Sequence, residues 1–261
     1  MLPKKVLLVE PPFHRLYKPT YSLTLYPLGL GYLAGAIKKN TDWDVMVYNA
    51  DFTPKSEYRE LVYETGPGFY RYLDNLKNPS AEIWNEIRAV IKEFQPSVLG
   101  ISAKTQNFRS ATVIAKIAKE IDKNITVVLG GAHPSMAGED VLTCPDIDIC
   151  VVGEGEKTVV NLLEAIEKQR SFEGIKGVIY KAQGKIVKNA PQEYIQDLDA
   201  LCFPHEHAPA VLRDYAHYPK EAFSTIFATR GCPHNCVFCG SRMIWSRKVR
   251  FRSPENVAKE I

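Results

Sequence analysis

Three cysteines within eight residues carry the most specific chemistry in this sequence: Cys232, Cys236 and Cys239, in Arg230-Gly-Cys-Pro-His-Asn-Cys-Val-Phe-Cys-Gly240, spaced C-x3-C-x2-C. A loop of that length can turn three thiolates toward one point. A structural zinc site takes four ligands, usually from paired C-x2-C knuckles or from histidines at helical spacing. His234 lies inside the loop, but too close to its neighbours to chelate easily alongside them. Iron–sulfur clusters commonly use four cysteines, so a three-cysteine loop after a strand leaves one iron open to a substrate or cofactor. A zinc loop or a chance grouping is the competing reading. Cys144, Cys150 and Cys202 stand alone and read as small packed hydrophobes.

The elements that must position this loop come from a repeating rhythm. Short β-branched runs at Lys5–Val9, Val45–Tyr48, Val98–Ser102, Thr126–Gly130 and Ile149–Val152 read as strands. Between them, Pro27–Lys39, Ser80–Phe94, Asn107–Ile121 and Glu156–Lys168 show helical period, the first opening on proline and the second on a serine cap. Strand, helix, strand, repeated, predicts parallel pairing through right-handed crossovers, hence an α/β doubly wound parallel sheet. Val178–Tyr180 and Lys185–Val187 flank Gly184 as a closing hairpin. The stretch from Phe52 to Asn78, rich in Tyr, Gly and Pro, reads as an irregular or partly helical excursion able to cover a ligand. We therefore expect a first domain over 1–190, and a linker over 191–220 carrying prolines with His205, His207 and His217. From 221 to 261 a second domain starts: a strand over Ala222–Thr229, the cysteine loop, and a helix capped by Ser253. That is about one unit of a barrel, so the chain reads as part of a longer protein.

Ligands of open α/β sheets bind at the carboxyl ends of the strands. There the sequence places Glu10-Pro11-Pro12, Ser102-Ala-Lys-Thr105, Gly130-Gly131-Ala-His133-Pro and Gly153-Glu154-Gly155-Glu156. Glycines permit close approach and positive φ, and small hydroxyls bond a ligand without filling the crevice. The plainer readings are turn punctuation for the glycines, local caps for Ser102 and Thr105, and a locally bonded loop histidine for His133. Glu154 and Glu156 could simply favour the positive end of a helix.

Taken in order, Pro27-Leu28-Gly29-Leu-Gly-Tyr-Leu-Ala34, Gly130-Gly-x-His-Pro134, Gly153-Glu-Gly-Glu156 and the cysteine loop with Phe238 before its last cysteine resemble the cobalamin-dependent radical S-adenosylmethionine family, over nearly the whole chain. The resemblance implies a Rossmann-like cobalamin-binding domain followed by the start of a (β/α) partial barrel. It implies a 4Fe-4S cluster on Cys232, Cys236 and Cys239 that chelates S-adenosylmethionine at its open iron, near Phe238, and cleaves it by one electron. Cobalamin would contact Pro11, Pro12, Leu28, Gly29, Ser102, Thr105, Gly130, Gly131, His133, Gly153, Glu154 and Gly155. The D-x-H-x-x-G motif that supplies a histidine to cobalt in other cobalamin methyltransferases is absent, so a bound cobalamin would have its tail buried and no histidine on the metal. The implied activity is methyl transfer to an unactivated carbon, with oxidative ring closure as the competing reaction and a flavodoxin- or ferredoxin-type reductant as partner. A carrier or sensor module that binds cobalamin is the non-enzyme alternative. These 261 residues alone are expected to be inactive.

The charge balance of +3, with Lys, Arg, Asp and Glu interspersed, gives no basic stripe for nucleic acid. The run Val6–Val9 is too short for a signal-peptide core, and no apolar run approaches a membrane span. Six cysteines in this setting favour thiol or metal chemistry in a reducing compartment, the cytoplasm.

Overall fold

The computed structural model describes residues 3–261. Nine strands form two sheets: β1 (Lys5–Glu10), β2 (Asp44–Asn49), β3 (Val98–Ser102), β4 (Thr126–Gly130), β5 (Ile149–Val151), β6 (Val178–Ala182) and β7 (Lys185–Lys188) in one, and β8 (Thr229–Arg230) with β9 (Arg250–Phe251) in the other. The helices are α1 (His14–Tyr17), α2 (Leu28–Asn40), α3 (Leu61–Thr65), α4 (Pro67–Lys77), α5 (Glu82–Phe94), α6 (Phe108–Ile121), α7 (Ala132–Ala137), α8 (Glu156–Glu167), α9 (Pro204–Val211), α10 (Ser241–Ile244) and α11 (Pro254–Glu260).

The large sheet runs β2-β1-β3-β4-β5-β6-β7, parallel from β2 to β5 and antiparallel thereafter. Alternation along the strands explains why both faces are covered. Leu7 and Val9 of β1 and Val127 and Leu129 of β4 enter one apolar cluster with Ile87, Ile91, Ile114 and Ile117 of α5 and α6. Val6, Leu8 and Val128 enter the other, with Ile37 of α2 and Leu162 and Leu163 of α8. Near-continuous apolar strands buried on both faces are what a doubly wound parallel sheet requires. Strand order reverses between β1 and β3, and the crossovers on either side of that point lie on opposite faces, so a crevice opens above the carboxyl ends of β1 and β3. The hairpin β6–β7 turns through Gln183 and Gly184, both at positive φ (49° and 74°), as two-residue hairpins favour.

Two sequence expectations change, the start of α5 and the strand before the cysteine loop, and two segments gain detail. The helix expected to begin at Ser80 begins at Glu82, because Asn78 Oδ1 accepts the Ser80 N–H (3.0 Å) and holds that residue in a turn. The excursion from 52 to 78 is partly helical, as expected, with α3 and α4 following an irregular stretch. The linker is not free: α9 packs on α2, Leu212 bridges Val47 beside β2, and Arg213 N donates to Val47 O at 2.9 Å. The strand expected over Ala222–Thr229 is reduced to Thr229–Arg230, since β9 offers only two residues to pair with and Ala222 instead accepts the Tyr26 N–H at 3.1 Å. The Ser253 cap of α11 is as expected, its Oγ accepting from Asn256 N at 3.1 Å. Among the described residues no helix is long and apolar enough to cross a membrane.

Candidate functional site: a sheet crevice beside a cysteine loop

Backbone bonds stitch together the loops that follow the strands. Ala103 N donates to Gly130 O (2.8 Å) and His133 N to Ala103 O (2.9 Å), so the loops after β3 and β4 lie side by side. Gly131 sits at φ 105°, and a Cβ there would stand 2.9 Å from Ala103 O; only glycine fits both the dihedral and the space. Ser135, in the first turns of α7, donates from Oγ to Gly131 O (2.8 Å) and accepts from Gly153 N (3.0 Å), tying the β5 loop to the β4 loop. Gly153 is at φ 79° with open space about it. The small residues Ser102, Gly130 and Gly153 thus lie together at the ends of β3, β4 and β5, with open space beside Gly153.

The walls are polar. Thr105 Oγ1 lies 3.2 Å from His133 Nδ1, and the His133 ring packs 4.2 Å from Phe108, with burial pushing its pKa down. Lys104 Nζ donates to Glu10 Oε1 at 2.9 Å; Glu10 is buried, and desolvation pushes its carboxyl up against the pull of Lys104. Pro11 and Pro12 are buried, with Pro11 O accepting from Asn107 Nδ2 at 3.3 Å. Asp51, behind this loop, accepts from Phe13 N (2.9 Å) and Arg15 N (3.0 Å), and burial pushes it up to about 6. His14 is pressed against Arg59, whose Nη1 is 2.9 and 2.7 Å from its two ring nitrogens; burial first, then the charges of Arg59 and Lys104, push it down to about 4.

The cysteine loop runs between the two short strands. Gly231, at φ 112° and crowded by Lys248 O, opens it, and Cys232 N donates to Ser246 O at 3.2 Å. Cys239 N donates to Cys236 O at 3.2 Å, and Cys239 Sγ lies 3.1 Å from Ser241 Oγ, whose hydrogen bonding holds the thiol below its ordinary range. All three thiols are free, and Cys236 is exposed. Among the described residues no three His, Cys, Asp or Glu side chains converge as a metal group. The donor set still fits a cluster: three unpaired thiols of the spacing above, on a loop open to solvent. Phe238, at 89% exposed, touches no wall of the crevice. Gly240 abuts Met136 of α7, so the loop leans on the helix whose first turn carries Gly131 and His133.

Four expected contacts fall elsewhere. Leu28 is buried in the apolar cluster under α2, and Gly29 is exposed at the start of that helix with nothing near its Cα. The side chain of Glu154 is taken up by protein donors: its Oε2 accepts from Ile195 N (2.6 Å) and Arg250 Nη1 (2.9 Å), its Oε1 from Arg230 Nη1 (3.3 Å). Gly155 serves packing, since a Cβ there would meet Leu33 at 3.0 Å. Ser135, Asn107, Arg230 and Arg250 were not singled out by sequence; the two arginines might have been sought as partners for two glutamates placed so close to a sheet.

An open sheet with its crevice at the point of strand reversal defines a cofactor-binding α/β domain. The B12 binding domain model matches residues 15–163, and the chain belongs to that family. It is 33% identical over 259 residues to the protein named Uncharacterized methyltransferase PH0819 of Pyrococcus horikoshii, covering 98% of this chain and 50% of that one. It is 29% identical over 260 residues to the anaerobic magnesium-protoporphyrin IX monomethyl ester cyclase of Synechocystis, covering 98% and 46%. The fold matches the radical S-adenosylmethionine methyltransferase TsrM of Kitasatospora setae (TM-score 0.65, 18% identity, 98% of this chain and 44% of that). It also matches the cobalamin-dependent S-adenosylmethionine radical enzyme OxsB (TM-score 0.67, 18% identity, 99% and 31%). The chain spans about half the length of the curated relatives it matches.

Proposed function

We propose that this chain forms the cobalamin-binding domain and the cluster-binding loop of a cobalamin-dependent radical S-adenosylmethionine methyltransferase. The observation that carries the reading is the contact of Gly240 with Met136: the cysteine loop and the crevice loop Gly131–His133 share α7 as a common wall. Two cofactors bound on either side of one short helix would be close enough to act on one substrate. When bound, the cluster and cobalamin supply one-electron cleavage of S-adenosylmethionine and carriage of a methyl group.

The chain's own residues have separate tasks. Ser102, Thr105, Gly130, Gly131 and Gly153 line the trough for the cobalamin tail, Ser135 holding the β4 and β5 loops at fixed spacing. Pro11 and Pro12 close the end beside β1. His14 has both ring nitrogens against Arg59 and His133 has Nδ1 against Thr105; with the D-x-H-x-x-G motif absent, this supports cobalamin without a protein nitrogen on cobalt. Cys232, Cys236 and Cys239 would hold the 4Fe-4S cluster, and the exposed Phe238 before the last cysteine would be available to border S-adenosylmethionine. The domain division at 190 and 220, a reducing cytoplasmic setting and a flavodoxin- or ferredoxin-type donor belong to the same reading. Oxidative cyclisation is the second reading, favoured by the likeness to the Synechocystis cyclase.

The test is anaerobic titration of the purified chain with hydroxocobalamin, followed by its visible spectrum, together with iron and sulfide analysis after reconstitution. Saturable binding with a base-off spectrum and a cluster-type iron-to-protein ratio would support the reading. Absence of cobalamin binding removes methyl transfer from it.

A further inference from the structure

We infer that Glu154 and Glu156 form a clamp that sets the position of the cysteine loop over the crevice, and so act as positioning residues; this rests on the function proposed above. Arg230 and Arg250 face each other across β8 and β9 and are the roots of the loop. Both are buried at 5% exposure, as are the carboxylates they meet. Arg230 Nη2 donates to Glu156 Oε1 at 2.5 Å and its Nη1 to Glu154 Oε1 at 3.3 Å. Arg250 Nη1 donates to Glu154 Oε2 at 2.9 Å and to Ile195 O at 2.6 Å. One carboxylate thus holds both roots of the loop and the segment before α9.

Three features make the clamp directional. Gly155, between the two glutamates, caps α8 at φ −92° and ψ −14°, and from there carboxylates two residues apart reach a single guanidinium. The Arg230 guanidinium also lies between the rings of Tyr32 of α2 and Trp245 of the loop, 5.0 and 5.5 Å from their centroids, a planar fit that an ammonium would not reproduce. A buried charge stripped of its partner is costly, so removing the carboxylates should release the roots toward water; Arg250 already keeps Nε and Nη2 buried without a partner and depends on its Nη1 bonds. Beyond the roots the loop is held lightly: Val237 and Phe238 are exposed, and its contact with the crevice side is made where Gly240 and α10 rest on α7 at Met136. The distance between cluster and cobalamin is therefore set at Glu154 and Glu156, not in the loop.

Hydrogen exchange by mass spectrometry on this chain tests the clamp without any cofactor. In the Glu154→Gln/Glu156→Gln protein, exchange of amides over 229–252 should rise at least tenfold while β1, β3 and β4 keep their protection; Arg230→Lys, which retains the charge, should show the same pattern more weakly. Unchanged exchange over 229–252, or an equal rise throughout the sheet, would overturn the proposal. In the full-length protein, pulsed dipolar spectroscopy between the reduced cluster and cob(II)alamin should give a narrow distance distribution that broadens in the double variant at unchanged iron and cobalamin content. A distribution that stays narrow would count against the clamp. If the chain binds neither cofactor, the functional reading fails while the exchange result still decides the clamp.

Discussion

The crevice and the cysteine loop are built on opposite principles. The crevice is defined by strand ends whose positions are dictated by a sheet buried on both faces, with Trp84, Ile87, Leu99 and Leu129 all excluded from water. Its glycines and Ser135 need only lie at the right register to form a trough. The loop has almost no core of its own and is placed by charge, through two arginines at its roots. Shape comes from hydrophobic burial in the first region and from paired electrostatics in the second, so the two should respond differently to substitution.

The largest effect expected is in the loop. Cys236→Ser should abolish cluster assembly, seen as loss of the iron–sulfur absorption after reconstitution, yet leave the unfolding midpoint unchanged because Cys236 is exposed. A shifted midpoint would show that the loop contributes to the core after all. In the sheet the order reverses: Trp84→Ala removes a fully buried ring and its Nε1 bond to Asn75 O (2.7 Å), and should cost about 3–5 kcal/mol in denaturant unfolding.

Between these extremes lie two changes that sharpen the contrast. Arg230→Met should lower global stability by less than about 2 kcal/mol, because release of the loop lets water reach Glu154 and Glu156 and opening stays sub-global. A loss at the full cost of an unpaired buried charge would mean the two regions unfold as one. Gly131→Ala should raise the cobalamin dissociation constant about tenfold, from the strain of a side chain at φ 105° and the contact with Ala103 O; an unchanged titration would move the tail away from the β4 loop.

A further contrast is in pH dependence, which belongs to the sheet side of the molecule. Burial pushes Asp51 up to about 6, above the ordinary aspartate value of about 3.9. Its contribution to stability is therefore complete below the unfolded value and lost as pH rises through about 6. Asp51→Asn, which can keep the acceptor for Phe13 N and Arg15 N, should remove that loss and flatten the stability profile between about pH 4 and 7, by about 3 kcal/mol. His14, pushed down to about 4, acts in the opposite sense over the same window, so the comparison is between the variant and the parent and not with a flat line.

Much of this was legible from the chain itself, and the failures have a common cause. The five parallel strands and their helices follow from local apolar period, and Ser253 capped the helix it was expected to cap. The apolar stretch 222–227 has the same local pattern as a strand but no partner, and pairing is not a property of one segment. Glu154 looked like a ligand contact because it follows a strand end and a glycine; its true partners lie 76 and 96 residues away. Ser135 carried no signal at all, since bridging two loops depends on where a second strand ends.

The cysteine spacing, the glycines at the strand ends and the doubly wound order were determined by the sequence alone, because each rests on interactions within a few residues or on a period repeated along the chain. Tertiary structure alone decided that Glu154 and Glu156 pair with the arginines at the roots of the cysteine loop, and that the loop rests against α7. Buried charges choose partners by proximity in space, and that proximity exists only once the sheet has brought residues 154 and 230 together.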